Sequence, residues 1–125
     1  MSGTKLLLDT NFAIGLLKGN ETVQDVLQNR PISIQDCAYS FITRIELLGF
    51  PAITAAEIKS IEKLLSAMNY VSMSPVIEDA TIQIRRQYGL KTPDAIIAAT
   101  ASVHHLELLT LDQQLANRMS EISSK

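Results

Sequence analysis

Four acidic side chains lie at, or just before, the start of a stretch with a helical pattern: Asp9, Glu46, Asp94 and Asp112. Asp9 and Asp112 directly follow short apolar runs of the kind that form strands. In an α/β fold such junctions meet at the carboxyl edge of the sheet, where ligands bind. Carboxylates brought together there would repel one another unless a cation joined them, and oxygen ligands suit Mg²⁺ or Mn²⁺. The pattern predicts a divalent-metal site formed by these four residues.

Each acid also has a purely structural explanation. Asp9 and Asp112 could cap helices, because an aspartate accepts hydrogen bonds from the free amides at a helix start. Residues 43–46, T-R-I-E, fit a capping box, and the charge of Asp94 would favour the dipole of its helix. Residues 54–57, T-A-A-E, form a second such box, which follows a proline rather than a strand. That box needs no functional explanation, whereas the position of the other acids at junctions favours a shared site.

Alternating strand and helix patterns must position these acids. Short apolar runs predict strands at residues 5–8, within 34–41, near 70–72 and at 107–110. Helical patterns between glycine and proline breaks predict helices at residues 10–17, 21–29, 43–49, 55–68, 75–88, 92–104 and 111–119. Ser74-Pro75 and Thr92-Pro93 each have the pattern of an N-cap followed by a first helical residue. The alternation predicts an α/β fold with a small central parallel sheet of about four to five strands and helices on both faces.

Element lengths indicate that two of the acids converge. From Asp94 the predicted helix runs back by about 18 Å at roughly 1.5 Å per residue. The strand at residues 107–110, with its connections, returns by about 13 to 20 Å at roughly 3.3 Å per residue. Asp94 and Asp112 should therefore lie near the same edge of the sheet. Asp9 joins them if the first strand is parallel and central.

Size and composition restrict the class of protein. The 125 residues are 46% hydrophobic and 19% charged, which is typical of one globular domain. A net charge of −2 argues against coating nucleic acid by bulk electrostatics, although a nuclease with a metal ion remains compatible with it. Without an apolar run of about 20 residues, and with little sequence before Leu6 for a signal peptide, we expect a soluble cytoplasmic protein. The single cysteine, Cys37, is expected to be buried and inert.

Several other side chains are candidates for contacting the substrate or supporting a ligand. Thr10 and Asn11 follow Asp9 and could bind a ligand carboxylate or the substrate, with capping as an equally good explanation. Further hydroxyls and cations beside the acids are Thr43, Arg44, Lys91 and Thr110, of which Arg44 and Lys91 could contact phosphate. Zinc is disfavoured, because the only histidines are adjacent, at a predicted helix end, and the lone cysteine has no partner ligand nearby.

Four segments together resemble a PIN domain, and specifically the VapC group of toxin ribonucleases: LLLDTNFAIGLLKG, SFITRIELLGFP, LKTPDAIIAATA and LELLTLDQQL. The resemblance covers nearly the whole chain, residues 1–125, as a single PIN-like domain. It implies an Mg²⁺- or Mn²⁺-dependent endoribonuclease that cleaves RNA and is the toxin of a type II toxin–antitoxin pair. It also implies a homodimer and a small VapB-like antitoxin whose C-terminal segment blocks the acidic site.

By position, three acids match the principal acids of that family, Asp9, Glu46 and Asp94, and Asp112 matches the fourth. This chain has Gln114 where many relatives carry a further acid, so a second metal position is expected to be weak or absent. The tail after Met119 is short and polar, so a final edge strand is expected to be missing or reduced to residues 121–123.

Two other functions are compatible with an acidic pocket on a parallel sheet. The first is a PIN-like module that binds RNA or protein without cleaving it, against which the presence of all four acids counts. The second is a phospho-receiver domain. That domain would need adjacent acids after the first strand, where this chain has Asp9-Thr10-Asn11.

Overall fold

Four short strands form one parallel sheet in the computed structural model, which describes residues 3–123. The strands are β1 (Leu6–Leu8), β2 (Cys37–Ser40), β3 (Asn69–Val71) and β4 (Glu107–Leu109). Their order across the sheet is β3–β2–β1–β4, and every neighbouring pair is parallel. The first strand is therefore central, as required for Asp9 to reach the other acids.

The helices connect the strands and cover both faces of the sheet. They are α1 (Thr10–Leu17), α2 (Glu21–Asn29), α3 (Phe41–Leu48), α4 (Ala55–Ser66), α5 (Pro75–Tyr88), α6 (Thr92–Val103) and α7 (Gln113–Ser123). A single 3₁₀ turn, Ile34–Asp36, precedes β2. The prediction of an α/β fold with a small parallel sheet and two helical layers is confirmed. Within residues 3–123, none of the helices has the length and apolarity needed to cross a membrane.

All three leucines of β1 are buried, which accounts for the continuous apolar run in the sequence. Leu6 and Leu8 pack into the layer formed with α1 to α4, while Leu7 packs into the layer formed with α5 to α7. Successive side chains of a strand point to opposite faces, and a parallel sheet covered on both sides needs apolar residues at every position. Cys37 of β2 is fully buried as expected, and burial raises the pKa of its thiol to about 11, which disfavours the reactive thiolate.

Gly15 allows α1 and α2 to approach closely. A Cβ atom at this position would lie 2.7 Å from Cγ2 of Val23 and 3.4 Å from Cβ of Asn20. Asn20 caps α2 by accepting a hydrogen bond from the amide of Val23. The absence of a side chain at residue 15 therefore lets the chain turn immediately after α1 and keeps α1 anchored beside the sheet.

Most helix starts follow the predicted chemistry. Thr54 and Glu57 form the reciprocal capping box of α4, with hydrogen bonds of 3.1 Å and 3.0 Å. Ser74 caps α5, and Pro75 is its first residue, as the sequence pattern predicts. Lys91, rather than Thr92, is the N-cap residue of α6, and its side chain makes no capping hydrogen bond.

One predicted feature was wrong, and the error concerns where a helix begins. The capping box at residues 43–46 does not exist, because α3 begins at Phe41 with Ser40 as its N-cap and already contains Thr43 and Glu46. At the other end of the described chain, one of the two expectations is met, because residues 121–123 form no edge strand. That segment is the last turn of α7, which buries Leu115 and Met119 and packs Ile122 against the same layer, at helical spacing. The remaining boundaries differ from prediction by a few residues, which is usual for helix and strand ends.

Candidate active site

Asp9 lies where β1 runs into α1 and is 6% exposed. Its Oδ1 atom accepts a hydrogen bond of 2.8 Å from the amide of Phe12, so the side chain is the N-cap of α1. Its Oδ2 atom accepts a hydrogen bond from the hydroxyl of Thr110, the residue that follows β4. The capping explanation is confirmed, yet one carboxylate oxygen is oriented by a neighbouring strand end rather than by the helix.

Glu46 projects from α3 towards the start of α1. The Thr10 hydroxyl donates a hydrogen bond of 2.6 Å to Oε1 of Glu46. The same Thr10 oxygen lies 3.1 Å from the hydroxyl oxygen of Thr43, which is fully buried. Glu46 itself is exposed, and its carboxylate accepts the bond from the Thr10 hydroxyl rather than capping a helix.

Asp112 stands between β4 and α7, and its carboxylate serves the start of that helix. Its Oδ1 atom accepts hydrogen bonds from the amides of Gln114 at 2.9 Å and Leu115 at 3.2 Å. Its own amide donates to the hydroxyl of Thr110, which in turn donates to Asp9. The capping explanation of Asp112 is thus confirmed, and Thr110 connects this residue to Asp9.

Asp94 brings the fourth carboxylate from the first turn of α6. Burial raises its pKa above the ordinary value, the charges of Asp112 and Glu46 raise it further, and Lys91 opposes the rise. The pKa of Asp9 is also raised, first by burial and then by Asp94 and Asp112, against the lowering effect of its two hydrogen bonds. The four acids therefore lie close enough to form one repulsive cluster at the carboxyl edge of the sheet.

The donor chemistry of this acid cluster, defined as Asp9, Glu46, Asp94 and Asp112, suits a hard divalent cation. Every donor is a carboxylate oxygen, and a cation would relieve the repulsion that raises the pKa of Asp9 and Asp94. The side-chain positions do not form a ready coordination site, because within residues 3–123 no group of three or more His, Cys, Asp or Glu side chains could hold a metal ion as placed. The metal site thus has support from its donor chemistry and charge, and its ligand geometry stays a prediction.

The other predicted site residues divide into two groups. Thr10, Thr43 and Thr110 supply the hydroxyl contacts described above, and the positive charge of Lys91 acts on Asp94. Asn11 is exposed in the first turn of α1. Arg44 is not brought to the acids, because two residues along a helix turn it to a different face from Glu46. Its charge acts instead on Tyr39, whose pKa is raised chiefly by burial, with Arg44 opposing the rise.

Sequence reasoning missed an apolar groove beside the acid cluster. A cavity of about 390 Å³ opens between α1, α3 and α4, and Glu46 is part of its wall. Its apolar lining includes Ile14, Leu17, Leu47, Phe50, Ile53 and Ile61. The side chain of Phe50 is 66% exposed and adds to the apolar surface of the groove. The exposed residue follows a helix end at Gly49, and only the packing of three helices turns it into part of a groove.

Comparisons with known proteins agree with this arrangement. Residues 6–120 match the family model described as PIN domain. A toxin–antitoxin complex from Klebsiella pneumoniae contains a chain with 32% identity, a TM-score of 0.72 and 88% coverage of both chains. FitAcB from Neisseria gonorrhoeae (24% identity, TM-score 0.73, 92% of this chain and 93% of that one) has a similar fold. So does DNA-bound VapBC from Salmonella typhimurium (22% identity, TM-score 0.76, 93% and 92%). No curated protein sequence gives a significant match.

Asp94→Asn is expected to raise the unfolding temperature of the metal-free protein at neutral pH and to remove stabilisation by Mn²⁺. The raised pKa of Asp94 means that its ionised form is disfavoured in the folded state. Its favourable contribution is present below the pKa of the unfolded chain and is lost as the pH rises through the folded pKa. The gain in the variant should therefore shrink as the pH falls and the wild-type carboxyl becomes neutral.

Thermal unfolding in chelator and in Mn²⁺ measures both effects, with Asp25→Asn on the exposed surface of α2 as the matched control. The control should follow the wild type in both conditions. A lower unfolding temperature for Asp94→Asn in chelator, or an undiminished response to Mn²⁺, would contradict the assignment of Asp94 to the repulsive cluster.

Proposed function

Because the chain belongs to the PIN-domain family, among its VapC-like toxins, we propose that it is a divalent-metal-dependent endoribonuclease that acts as the toxin of a type II toxin–antitoxin pair. The observation that supports this proposal most is the acid cluster. Its carboxylates come from four different segments of the chain, and burial together with their mutual repulsion raises the pKa of Asp9 and Asp94. Such a concentration of unneutralised charge is costly for folding and typical of a functional site. The receiver-domain alternative is no longer needed, since the PIN family accounts for residues 6–120.

Asp9, Glu46 and Asp94 would hold the metal ion, which we propose is Mg²⁺ or Mn²⁺. When bound, such an ion lowers the pKa of water and stabilises the charge that builds on a phosphodiester during hydrolysis. Thr110 keeps one oxygen of Asp9 in place, and Thr10 does the same for Glu46. Asp112 has one oxygen engaged by two amides, so only its other oxygen is available to the site. Together with Gln114, this favours a site with one principal metal position.

The remaining side chains would bind and orient the RNA. Lys91 lies beside Asp94 at the N-terminus of α6 and could contact a phosphate, and the exposed Asn11 could hydrogen-bond the substrate. The net charge of −2 leaves the chain without a broad basic surface for non-specific binding. Recognition should therefore depend on a few contacts with unpaired nucleotides near the cluster.

Removing one charged ligand should abolish cleavage while leaving the fold intact. In Asp9→Asn and Asp94→Asn, kcat/KM for RNA in Mn²⁺ is expected to fall by more than about a hundredfold, since losing a ligand costs at least as much as losing a group that supports one. Asparagine is as good an N-cap as aspartate, so Asp9→Asn keeps the start of α1. Cleavage by purified protein and growth arrest on expression measure the effect, and Asp25→Asn is again the control. Equal toxicity of the wild type and both variants would contradict the proposal. RNA binding without cleavage in Mg²⁺ and Mn²⁺ would also contradict it and would favour the non-catalytic module.

The groove next to Glu46 is the surface we propose for the antitoxin. Its walls are apolar, and one of them carries a member of the acid cluster, so a peptide lying in it would end at the site itself. An amphipathic helix placing apolar side chains in the groove, with a basic residue at Glu46, has the required chemistry. The similar chain from Klebsiella pneumoniae belongs to a toxin–antitoxin complex, which supports a small protein partner of this kind.

Phe50→Asp should weaken antitoxin binding by at least about tenfold without reducing nuclease activity. Phe50 is 66% exposed and takes no part in the hydrogen bonds described for the acid cluster, so the substitution disturbs the groove rather than the core. The measurement first requires a small open reading frame directly upstream of the gene, whose product is then titrated calorimetrically. Ile82→Asp, at a 44% exposed apolar residue of α5 outside the groove, is the control. Equal losses for both variants would place the antitoxin elsewhere.

A homodimer is the third part of the proposal. Tyr70, Met73 and Val76 follow one another from the edge strand β3 into the start of α5, and they are 49%, 38% and 61% exposed. A second copy covering these side chains would bury apolar surface and protect the free edge of β3. Sedimentation velocity should give a dimer for the wild type and a monomer for Val76→Asp. A wild-type monomer at tens of micromolar would contradict this part alone.

A further inference from the structure

Thr43 differs from the other buried helical threonines of the described chain. Thr81 and Thr100 donate their hydroxyl protons to the carbonyl oxygens four residues earlier, Ile77 and Ile96, at 2.7 Å in both cases. This is the usual bond of a threonine within a helix. Thr43 is the third residue of α3, and the residue four positions earlier, Tyr39, belongs to β2. The helix therefore offers Thr43 no such acceptor, and its hydroxyl group faces Thr10 instead.

The direction of the hydrogen bonds follows from the number of protons. A threonine hydroxyl has one proton to donate, whereas a carboxylate can only accept. The proton of Thr10 goes to Oε1 of Glu46, at 2.6 Å. In the contact of 3.1 Å between the two hydroxyl oxygens, Thr43 must then be the donor and Thr10 the acceptor. The result is a one-way chain from Thr43 through Thr10 to Glu46.

We propose that Thr43 is a positioning residue of the active site, which orients Glu46 through the hydroxyl of Thr10. The origin of the chain is rigid, because Thr43 is fully buried and β-branched, while Glu46 is an exposed side chain with several rotatable bonds. Fixing the acceptor side of Thr10 leaves its proton directed at the carboxylate. The inference rests on the proposed function in one respect, namely that Glu46 is a metal ligand.

The first experiment measures the Mn²⁺ dissociation constant of the full chain by calorimetry, together with kcat/KM for RNA. Thr43→Val keeps the shape of the side chain and removes the proton, and it should weaken Mn²⁺ binding about tenfold, as losses of groups that support metal ligands do. Thr43→Ser keeps the hydroxyl group and should restore binding. The matched control is Thr100→Val, which removes an equally buried hydroxyl that serves only its own helix. Unfolding temperatures of all variants separate loss of stability from loss of positioning.

A double-mutant cycle then tests whether Thr43 acts through Thr10. Thr10→Val should weaken Mn²⁺ binding at least as much as Thr43→Val, and adding Thr43→Val to it should change nothing further. Residues that act as one unit are non-additive in this way. Equal effects of Thr43→Val with and without Thr10 would overturn the proposal. So would a failure of Thr43→Ser to restore binding, or a loss in Thr100→Val as large as that in Thr43→Val.

A measurement without metal separates this inference from the proposed function. Three-bond couplings to the Thr10 methyl group should report one rotamer in the wild type and rotamer averaging in Thr43→Val. If the wild type binds no Mn²⁺, the proposed function fails, while the couplings still decide whether Thr43 orients Thr10. Unchanged couplings in Thr43→Val would overturn the hydroxyl chain whatever the metal data show.

Discussion

Repulsion among carboxylates at the carboxyl edge of the sheet is the constraint on which the arrangement of the surrounding donors depends. Asp9, Glu46, Asp94 and Asp112 come from separate segments, and their charges act on one another. Hydroxyl and amide donors offset part of this repulsion: Thr110 and the amide of Phe12 bind Asp9, and Thr10 binds Glu46. For Asp94, the charge of Lys91 opposes the rise in pKa that burial and the neighbouring acids cause. Local donors therefore hold individual carboxylates in place, and a cation remains the natural means of neutralising the group.

The parallel sheet brings several strand ends, and the residues that follow them, to the same edge. Because every strand pair is parallel, β1, β2 and β4 all deliver their next residue to the same edge. The strands have only three or four residues, and the residue at or just after each of these strand ends leads directly into the next helix or turn. Asp9, Ser40 and Thr110 occupy these junctions, and each uses its side chain to bind a nearby backbone amide. The same polar groups thus end strands, start helices or turns, and line the site.

Sequence alone predicted the features that depend on local patterns. The apolar run of β1, the junction position of Asp9 and the capping box of Thr54 and Glu57 are all readable from neighbouring residues, and they were predicted correctly. The start of α3 was not, because Thr43 and Glu46 imitate a capping box, while the true cap, Ser40, also has the pattern of a strand residue. The length of α7 was underestimated because the burial of Ile122 arises from tertiary packing.

Features shared by distant segments were beyond the reach of sequence patterns. The groove needs α1, α3 and α4 to be packed before Phe50 acquires a role. The bond from Thr110 to Asp9 spans 101 positions, and the contact between Thr10 and Thr43 spans 33. The junction pattern, supported by the family resemblance, identified the acids and these threonines as candidates. It could not say which hydroxyl serves which carboxylate, since that depends on side-chain orientation at one edge of the folded sheet.

The double use of Asp9 has a consequence for how such a protein can lose its activity in a growing population. Most replacements of Asp9 remove the charge and also the cap of α1, which costs about 1 kcal/mol of stability in addition to the chemistry. Replacement of Asp94 removes a charge from a repulsive group and leaves no helix uncapped, since no side chain caps α6. Inactive copies altered at Asp94 should therefore stay as abundant as the wild type, whereas those in which Asp9 is replaced by a residue that cannot cap α1 should be less abundant. Sequencing inactive variants and measuring the amount of folded protein would distinguish these two classes.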